Sequence, residues 1–407
     1  MPQHIAASDL RLTWPGAIST EMTDDRVMPW RIPYVERNLF AKELVEKAAM
    51  PAGVRIRFQS NTSSIEGFCN SFPERSQVDL LIDGGYVASA VTQNKTTFRF
   101  EDLGSATKTV ELWLPQVGEF RFKGMNIDVS AELSEASTNA SPKWITYGSS
   151  ITHCSGADSP TTTWPAIVAR TRGYDLTCLG FGGQCHLDPL IARVIRDREA
   201  DLISLCLGIN IYGGESLSPR TFGPGIIGFV KIVREKHPTT PIALLSPIFS
   251  PGREDTSNAV GFTLKQMREQ VVMAVEKLRA SGDENIYYID GLNILSSDSE
   301  HLCRMTSIRI TRDTESWRRT CSIYCLRFSW REYRPEPDSS QSAYRWNGHV
   351  RSDSRNHTRA RQSNAPKLDS VTRGHFPHRP HSAPHPRVAF GEKSCPSASE
   401  PSMPASQ

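Results

Sequence analysis

The sequence predicts an α/β fold with a parallel sheet, preceded by a β-sandwich and followed by a disordered basic tail. Three observations carry that expectation. Residues 10 to about 135 form short runs of alternating apolar and polar side chains, separated by turn signals. From about Lys143 strands alternate with helices. From Leu302 onward apolar periodicity stops, and the charge balance changes sign. Through His301 there are 35 acidic and 29 basic side chains; after it, 18 basic side chains face 9 acidic ones. The expected domain limits are 1–137, 143–301 and 302–407.

In the first region, Val54–Phe58, Thr97–Phe100 and Glu119–Phe122 alternate strictly, while Val78–Ile82 and Thr109–Leu114 do so less strictly. Pro51-Ala-Gly53, Asp83-Gly-Gly85 and Pro115–Gly118 supply turns between them. Short strands at this spacing suggest a sandwich of jelly-roll type, with one short helix near Leu39–Ala49. In the second region the predicted strands are Trp144–Tyr147, Asp175–Leu179, Asp201–Leu207, Pro241–Leu245 and Ile286–Ile289. Helices are expected after Thr163-Trp-Pro165 and Asp188-Pro189, each with a capping residue and an early proline, and over Gly223–Lys236 and Phe262–Ser281. Such βα alternation implies a parallel sheet with helices on both faces and a site at the strands' carboxyl ends.

At 407 residues the chain has room for two domains and a tail. No run of apolar residues is long enough to span a membrane, and no membrane partner is expected. The start, Met1-Pro-Gln-His-Ile-Ala-Ala-Ser-Asp9, has neither a basic nor an apolar signal region, so the expected location is cytoplasmic. Nine cysteines without a C-x-x-C pair point to reduced, buried thiols. The tail's arginines are scattered among His, Ser and Pro without aromatic platforms at regular spacing, which argues against nucleic acid as a partner. No metal cluster, nucleotide fingerprint or phosphate loop is present, so no cofactor is expected.

Three loops follow three successive strands. Gly148-Ser-Ser-Ile-Thr152 sets serines at a strand-to-loop turn, where a nucleophile can be presented; a polar turn has the same composition. Gly180-Phe-Gly-Gly-Gln184 lets backbone N–H groups approach a ligand, or makes a tight loop. Leu207-Gly-Ile-Asn210 ends a buried strand with an amide that can donate to an oxyanion or cap a helix.

Together, Gly148-Ser-Ser-Ile151, Gly183 and Gly208-Ile-Asn210 resemble the first three blocks of the SGNH (GDSL-type) hydrolases. The resemblance covers about residues 143–300. Met50-Pro-Ala-Gly53 and Glu111–Pro115 are similar to the N-terminal sandwich of a subgroup that includes carbohydrate esterases and polyketide acyltransferases, as are Ala157–Pro165 and Ser246–Pro251 in the second region. It implies a flavodoxin-like three-layer α/β/α fold and a serine esterase or acyltransferase. Its substrate would be a small acyl ester of a sugar or secondary metabolite. Carried over by position, Ser150 would be the nucleophile, with Ser149 where the family's aspartate often stands. The N–H groups of Ser150 and Gly183 and the Asn210 side chain would form the oxyanion hole.

The fourth block, an Asp-x-x-His that supplies and orients the base, matches only at Asp298-Ser-Glu-His301, which lacks the usual following proline. His153 and His186 lie beside the other loops and are alternative bases. The composition break suggests a further explanation. From Leu302, codons built from the last base of one codon and the first two of the next can read Leu-Pro-Asp-Asp-Leu-His-Pro. The second of these aspartates is forced by Met305 and Thr306; the others are permitted. The chain from about Leu302 is therefore expected to be translated out of frame, the alternative being a natural tail. Without the block, the resemblance allows a catalytically impaired protein that acts as a ligand- or glycan-binding module.

Overall fold

The computed structural model describes residues 2–74, 76–137 and 141–297. Asp298, His301 and the basic tail lie outside them. The N-terminal half holds strands β1 (Gln3–Ile5), β2 (Ser19–Thr23), β3 (Arg26–Trp30), helix α1 (Lys42–Ala48), then β4 (Arg55–Ser60), β5 (Ile65–Cys69), β6 (Gln77–Ile82), β7 (Gly85–Val91), β8 (Thr97–Phe100), β9 (Lys108–Trp113), β10 (Phe122–Ile127) and β11 (Leu133–Ser134). They form two antiparallel sheets. One runs β2-β3-β10-β5-β8 with β1 on β10, and the other β11-β4-β9-β6-β7. Alternation decides which side chains go between them: Ile56, Phe58, Val78, Leu80, Val110, Leu112, Phe98, Phe122 and Met125 fill one core.

The predicted strand at Glu119–Phe122 begins three residues later than its pattern suggests. Phe120 and Phe122 are both buried as the alternation requires. Asn70, however, pairs with Arg121 through both its backbone and its side chain, accepting the Arg121 N–H at 2.7 Å. That local hook replaces the ladder until Phe122.

The second half follows the expected rhythm: β12 (Lys143–Gly148), α2 (Ser150–His153), α3 (Trp164–Arg172), β13 (Asp175–Gly180), α4 (Pro189–Arg196), β14 (Leu202–Cys206), α5 (Ile209–Gly214), α6 (Phe222–Arg234), β15 (Ile242–Leu245), α7 (Leu264–Ala280) and β16 (Ile286–Ile289). The five strands are parallel, in the order β13-β12-β14-β15-β16. This is the flavodoxin-like order, whose reversal beside the first strand opens a crevice at the carboxyl ends. Ile145, Tyr147, Leu179, Ile203, Leu205 and Leu244 face α4, α6 and α7. Trp144, Cys178, Ala243 and Leu245 face α3 on the other side, where Leu81 and Trp113 of the sandwich join them. Each fully buried large apolar side chain contributes about 1.5–3 kcal/mol.

The helix starts are set by caps. The Thr163 hydroxyl accepts from Ala166 N–H ahead of Pro165, and Thr263 forms a capping box with Gln266. Pro189 opens α4 as expected, but Asp188 makes no side-chain cap bond there.

The halves meet along the free edge of β13. Its outward carbonyls, on alternate residues, are taken by arginines rather than by another strand. Arg55 donates to Leu176 O at 3.1 Å, pairs with Asp175 and lies over the Trp113 ring. Arg31 donates to Cys178 O at 3.1 Å and Gly180 O at 2.6 Å.

Candidate active site

The first loop leaves β12 at Gly148. Ser149, 2% exposed, caps the four-residue helix α2 by accepting from Ile151 N–H. A short oxygen side chain is what that N-cap needs, and serine serves where the family often has aspartate. The cap turns Ser150 outward: its side chain is exposed. Gly180 ends β13 against the same helix. A Cβ there would lie 2.2 Å from His153 N, so only glycine allows the second loop to sit this close to α2. A Cβ on Gly182 would lie 3.7 Å from both Cα and Cβ of Ser150, which places the loops side by side.

The backbone bonds of the second loop can be accounted for one at a time. Phe181 N–H donates to Gly148 O, Gly182 N–H to His153 Nδ1 and Gln184 N–H to Phe181 O. Cys185 N–H donates to Asn210 Oδ1 at 3.0 Å. Gly183, in the left-handed region at φ +78°, keeps an N–H with no partner among the described residues. The same holds for the Ser150 N–H at the start of α2. Asn210 is the second residue of α5, which Gly208 caps, and the bond from Cys185 fixes its oxygen, leaving the Nδ2 group as the free end. Ser150, Gly183 and Asn210 are thus brought to three neighbouring loops at the carboxyl ends of β12, β13 and β14.

The two nearby histidines are committed elsewhere. His153 is 2% exposed; its Nε2–H donates to Gln116 O at 2.8 Å while Nδ1 accepts from Gly182 N–H. Burial and then the Arg31 charge push its pKa down to about 3, so it is a neutral structural imidazole. His186 donates from Nε2 to Gly183 O at 2.9 Å, and its Nδ1 accepts from Ser216 Oγ at 2.7 Å. Both rings therefore hold the second loop. Cysteine nucleophiles are disfavoured too, because burial raises the thiols of Cys154 and Cys206 to about 12. All five described cysteines are free, four of them buried. Among the described residues no group of three His, Cys, Asp or Glu could hold a metal. No described helix is long and apolar enough to cross a membrane.

The His153 arrangement carries a sign-definite pH effect. In the unfolded chain the imidazole titrates near 6.5, and in the folded protein near 3. Between these values the unfolded state binds the extra proton, so stability rises with pH. The contribution is complete above 6.5 and is lost as pH falls towards 3, at up to about 1.36 kcal/mol per pH unit. Urea unfolding between pH 7 and 5 is expected to show this one-proton slope, and His153→Gln, which keeps both an acceptor and a donor, to remove it. A slope unchanged in the variant would contradict the assignment.

Residues 12–123 match the family described as SsfX3, N-terminal domain, and residues 142–308 the GDSL-like Lipase/Acylhydrolase family. The chain is 31% identical to the solved salicylyl-acyltransferase SsfX3 from a tetracycline biosynthetic pathway. The likeness covers 79% of this chain and 95% of that one, with a TM-score of 0.71. The chain belongs to the GDSL-like lipase/acylhydrolase family. Two further structures share the fold. A putative GDSL-like lipase from Bacteroides ovatus is 23% identical over 74% of this chain and 90% of its own, at TM-score 0.60. A family two carbohydrate esterase from Clostridium thermocellum is 12% identical over 78% and 95%, at 0.55. A search of curated proteins gave no match. Membership of the GDSL-like family makes the protein an enzyme of acyl hydrolysis or acyl transfer. The matched segment of the family includes Asp298 and His301, which lie outside the described residues.

Sequence reasoning did not find Arg31 or Gln116. Both act from the N-terminal half on the loops of the second, at separations of over a hundred and of thirty-seven residues. No local pattern marks such contacts.

Proposed function

We propose that the protein is a serine acyl hydrolase or acyltransferase in which Ser150 attacks the carbonyl of a small acyl ester. The observation that supports this most is the hydrogen-bond accounting of the loops, which leaves the Ser150 and Gly183 N–H groups unpartnered beside an anchored Asn210 amide. Three donors on one developing charge are the usual largest contribution to acyl transfer. Ser150 Oγ bonds to the carbonyl carbon as its proton passes to a base. Collapse breaks the ester C–O bond, and the base returns the proton to the leaving alcohol. Water or an acceptor alcohol then takes the acyl group.

The base is Asp298-oriented His301 in the chain as it stands, or the Asp-x-x-His-Pro of the shifted frame. The frame reading is the stronger, since it also explains the change in composition and charge at Leu302. On it, the N-terminal sandwich (1–137) and the α/β domain (143–301) are the natural parts, and residues 302–407 are not. The substrate class is an acyl ester of a sugar or secondary metabolite, in keeping with the printed activities of the solved relatives. The protein works in the cytoplasm, without nucleic acid or cofactor. A fluorophosphonate probe is expected to label Ser150 and to leave Ser150→Ala unlabelled; equal labelling of both would sink this reading.

One observation favours a second reading, a ligand- or glycan-binding protein. A groove of about 480 Å³ on the sandwich is lined by Glu66, Arg99, Asn126 and Asp128. Absence of binding across a broad glycan screen would remove it.

A further inference from the structure

We propose that Arg31 is a positioning residue for the loop Phe181–Gly183, and through it for the Gly183 N–H; this rests on the Ser150 reading above. Arg31 follows β3 in the N-terminal half and is fully buried. Its Nε donates to Met50 O at 2.6 Å, its Nη2 to Lys47 O at 2.5 Å, and its Nη1 to both Cys178 O and Gly180 O. Every acceptor is a backbone carbonyl; none is a carboxylate. The guanidinium carbon lies 4.9 Å from the centre of the Phe181 ring.

A buried cation without a carboxylate is costly, and apolar packing would hold two halves of a protein together more cheaply. Arginine is suited to something packing cannot do. It offers a rigid fork of donors that grips several carbonyls at fixed angles. Here Lys47 O lies in the last turn of α1, where the helix dipole is negative and offsets the charge, and Met50 O lies just beyond that end. The other two lie at the root of the candidate oxyanion loop.

The Gly180 carbonyl shares its peptide unit with the Phe181 N–H, which donates at 2.8 Å to Gly148 O. The guanidinium therefore fixes one peptide that joins the second loop to the strand end two residues before Ser150. Polarisation along such a chain strengthens each bond. Burial lowers the Arg31 pKa only to about 10, so at neutral pH the positive charge stays beneath the loop where an oxyanion would form. His153 and His186 hold the same loop through Gly182 N–H and Gly183 O, but they are neighbours within the α/β half. Arg31 makes the aim of the loop depend on the sandwich.

The test uses the full chain, 4-nitrophenyl acetate as the probe ester, and four proteins: wild type, Ser150→Ala, Arg31→Met and Arg31→Lys. Misplacing a reacting group by about 1 Å costs on the order of a hundredfold. Ser150-dependent kcat in Arg31→Met is therefore expected to fall by about tenfold to a hundredfold, with KM changed less than about threefold. Arg31→Lys, which retains the charge and can still reach Gly180 O, is expected to recover part of kcat. Amide hydrogen exchange gives a second readout. Exchange of residues 180–184 should rise by at least about tenfold in Arg31→Met, while that of β16 at the opposite sheet edge stays unchanged.

Unchanged kcat with unchanged exchange in a folded Arg31→Met overturns the proposal. So does exchange that rises equally across the sheet, or a loss of kcat that lysine does not relieve. If Arg31→Met does not fold, the lysine variant decides alone, by a kcat loss and loop-specific exchange at near-native melting temperature. If wild type and Ser150→Ala turn over the ester equally, the chain as given is not a Ser150 esterase, and the exchange arm still decides whether Arg31 fixes the loop.

Discussion

Restoring the shifted frame ahead of Leu302 is expected to raise ester hydrolysis by about 10²–10⁴-fold, the usual contribution of a positioned general base. The gain follows from what the described part of the molecule contains. Ser150, Gly183 and Asn210 share one rim, while the two histidines beside them have both ring nitrogens occupied. On the proposed reading, a serine hydroxyl so placed has a candidate oxyanion hole and no base among the described residues. The described chain also reaches the right place to receive one: Phe249 N–H donates to Leu295 O, which brings the chain after β16 back to the strands' carboxyl ends. The comparison needs the chain as given and the frame-restored protein, assayed side by side on one activated ester. Equal kcat/KM in the two would show that the tail is the natural one, or that His301 already serves.

Replacing Asn210 by aspartate in the frame-restored protein should lower kcat by about 10²–10³-fold, with little loss of stability. Aspartate keeps an oxygen to accept the Cys185 N–H, so the second loop stays anchored. It removes the donor and sets a negative charge where the oxyanion would form. Asn210→Ala should lose a similar factor in kcat and, in addition, the anchor. Melting temperature and kcat measured for both variants separate the two roles. An aspartate variant with near-normal kcat would remove Asn210 from the oxyanion hole.

The α/β half was largely legible in the sequence because parallel strands buried on both faces read as short apolar runs. Leu202–Cys206 and Ile242–Leu245 are examples. Helix starts were legible where a cap and a proline coincide, as at Thr163-Trp-Pro165. The sandwich was less so. The hairpin Ser19–Trp30 has a polar first strand and carries no alternation, and Glu119–Phe122 was displaced by contacts with Asn70 fifty residues away. The short helices α2 and α5 are too brief to have a period; a serine cap and a positive-φ glycine start them. For the candidate site, residue type and order suggested Ser150, Gly183 and Asn210. What fixes them in place could not be read, since Arg31 and Gln116 reach the loops only through the folded chain.

The guanidinium groups laid along the free edge of β13 have a bearing on how the chain is made. The ribosome releases the sandwich first, so Arg31 and Arg55 are waiting when Leu176, Cys178 and Gly180 emerge. The edge is covered as soon as it forms. A fragment that starts at Lys143 would present those carbonyls bare, as a template for strands of other copies. The sandwich is in this sense a built-in chaperone for the half that carries the candidate chemistry, and fusing or trimming the protein at the join between the halves would forfeit solubility before it touched Ser150.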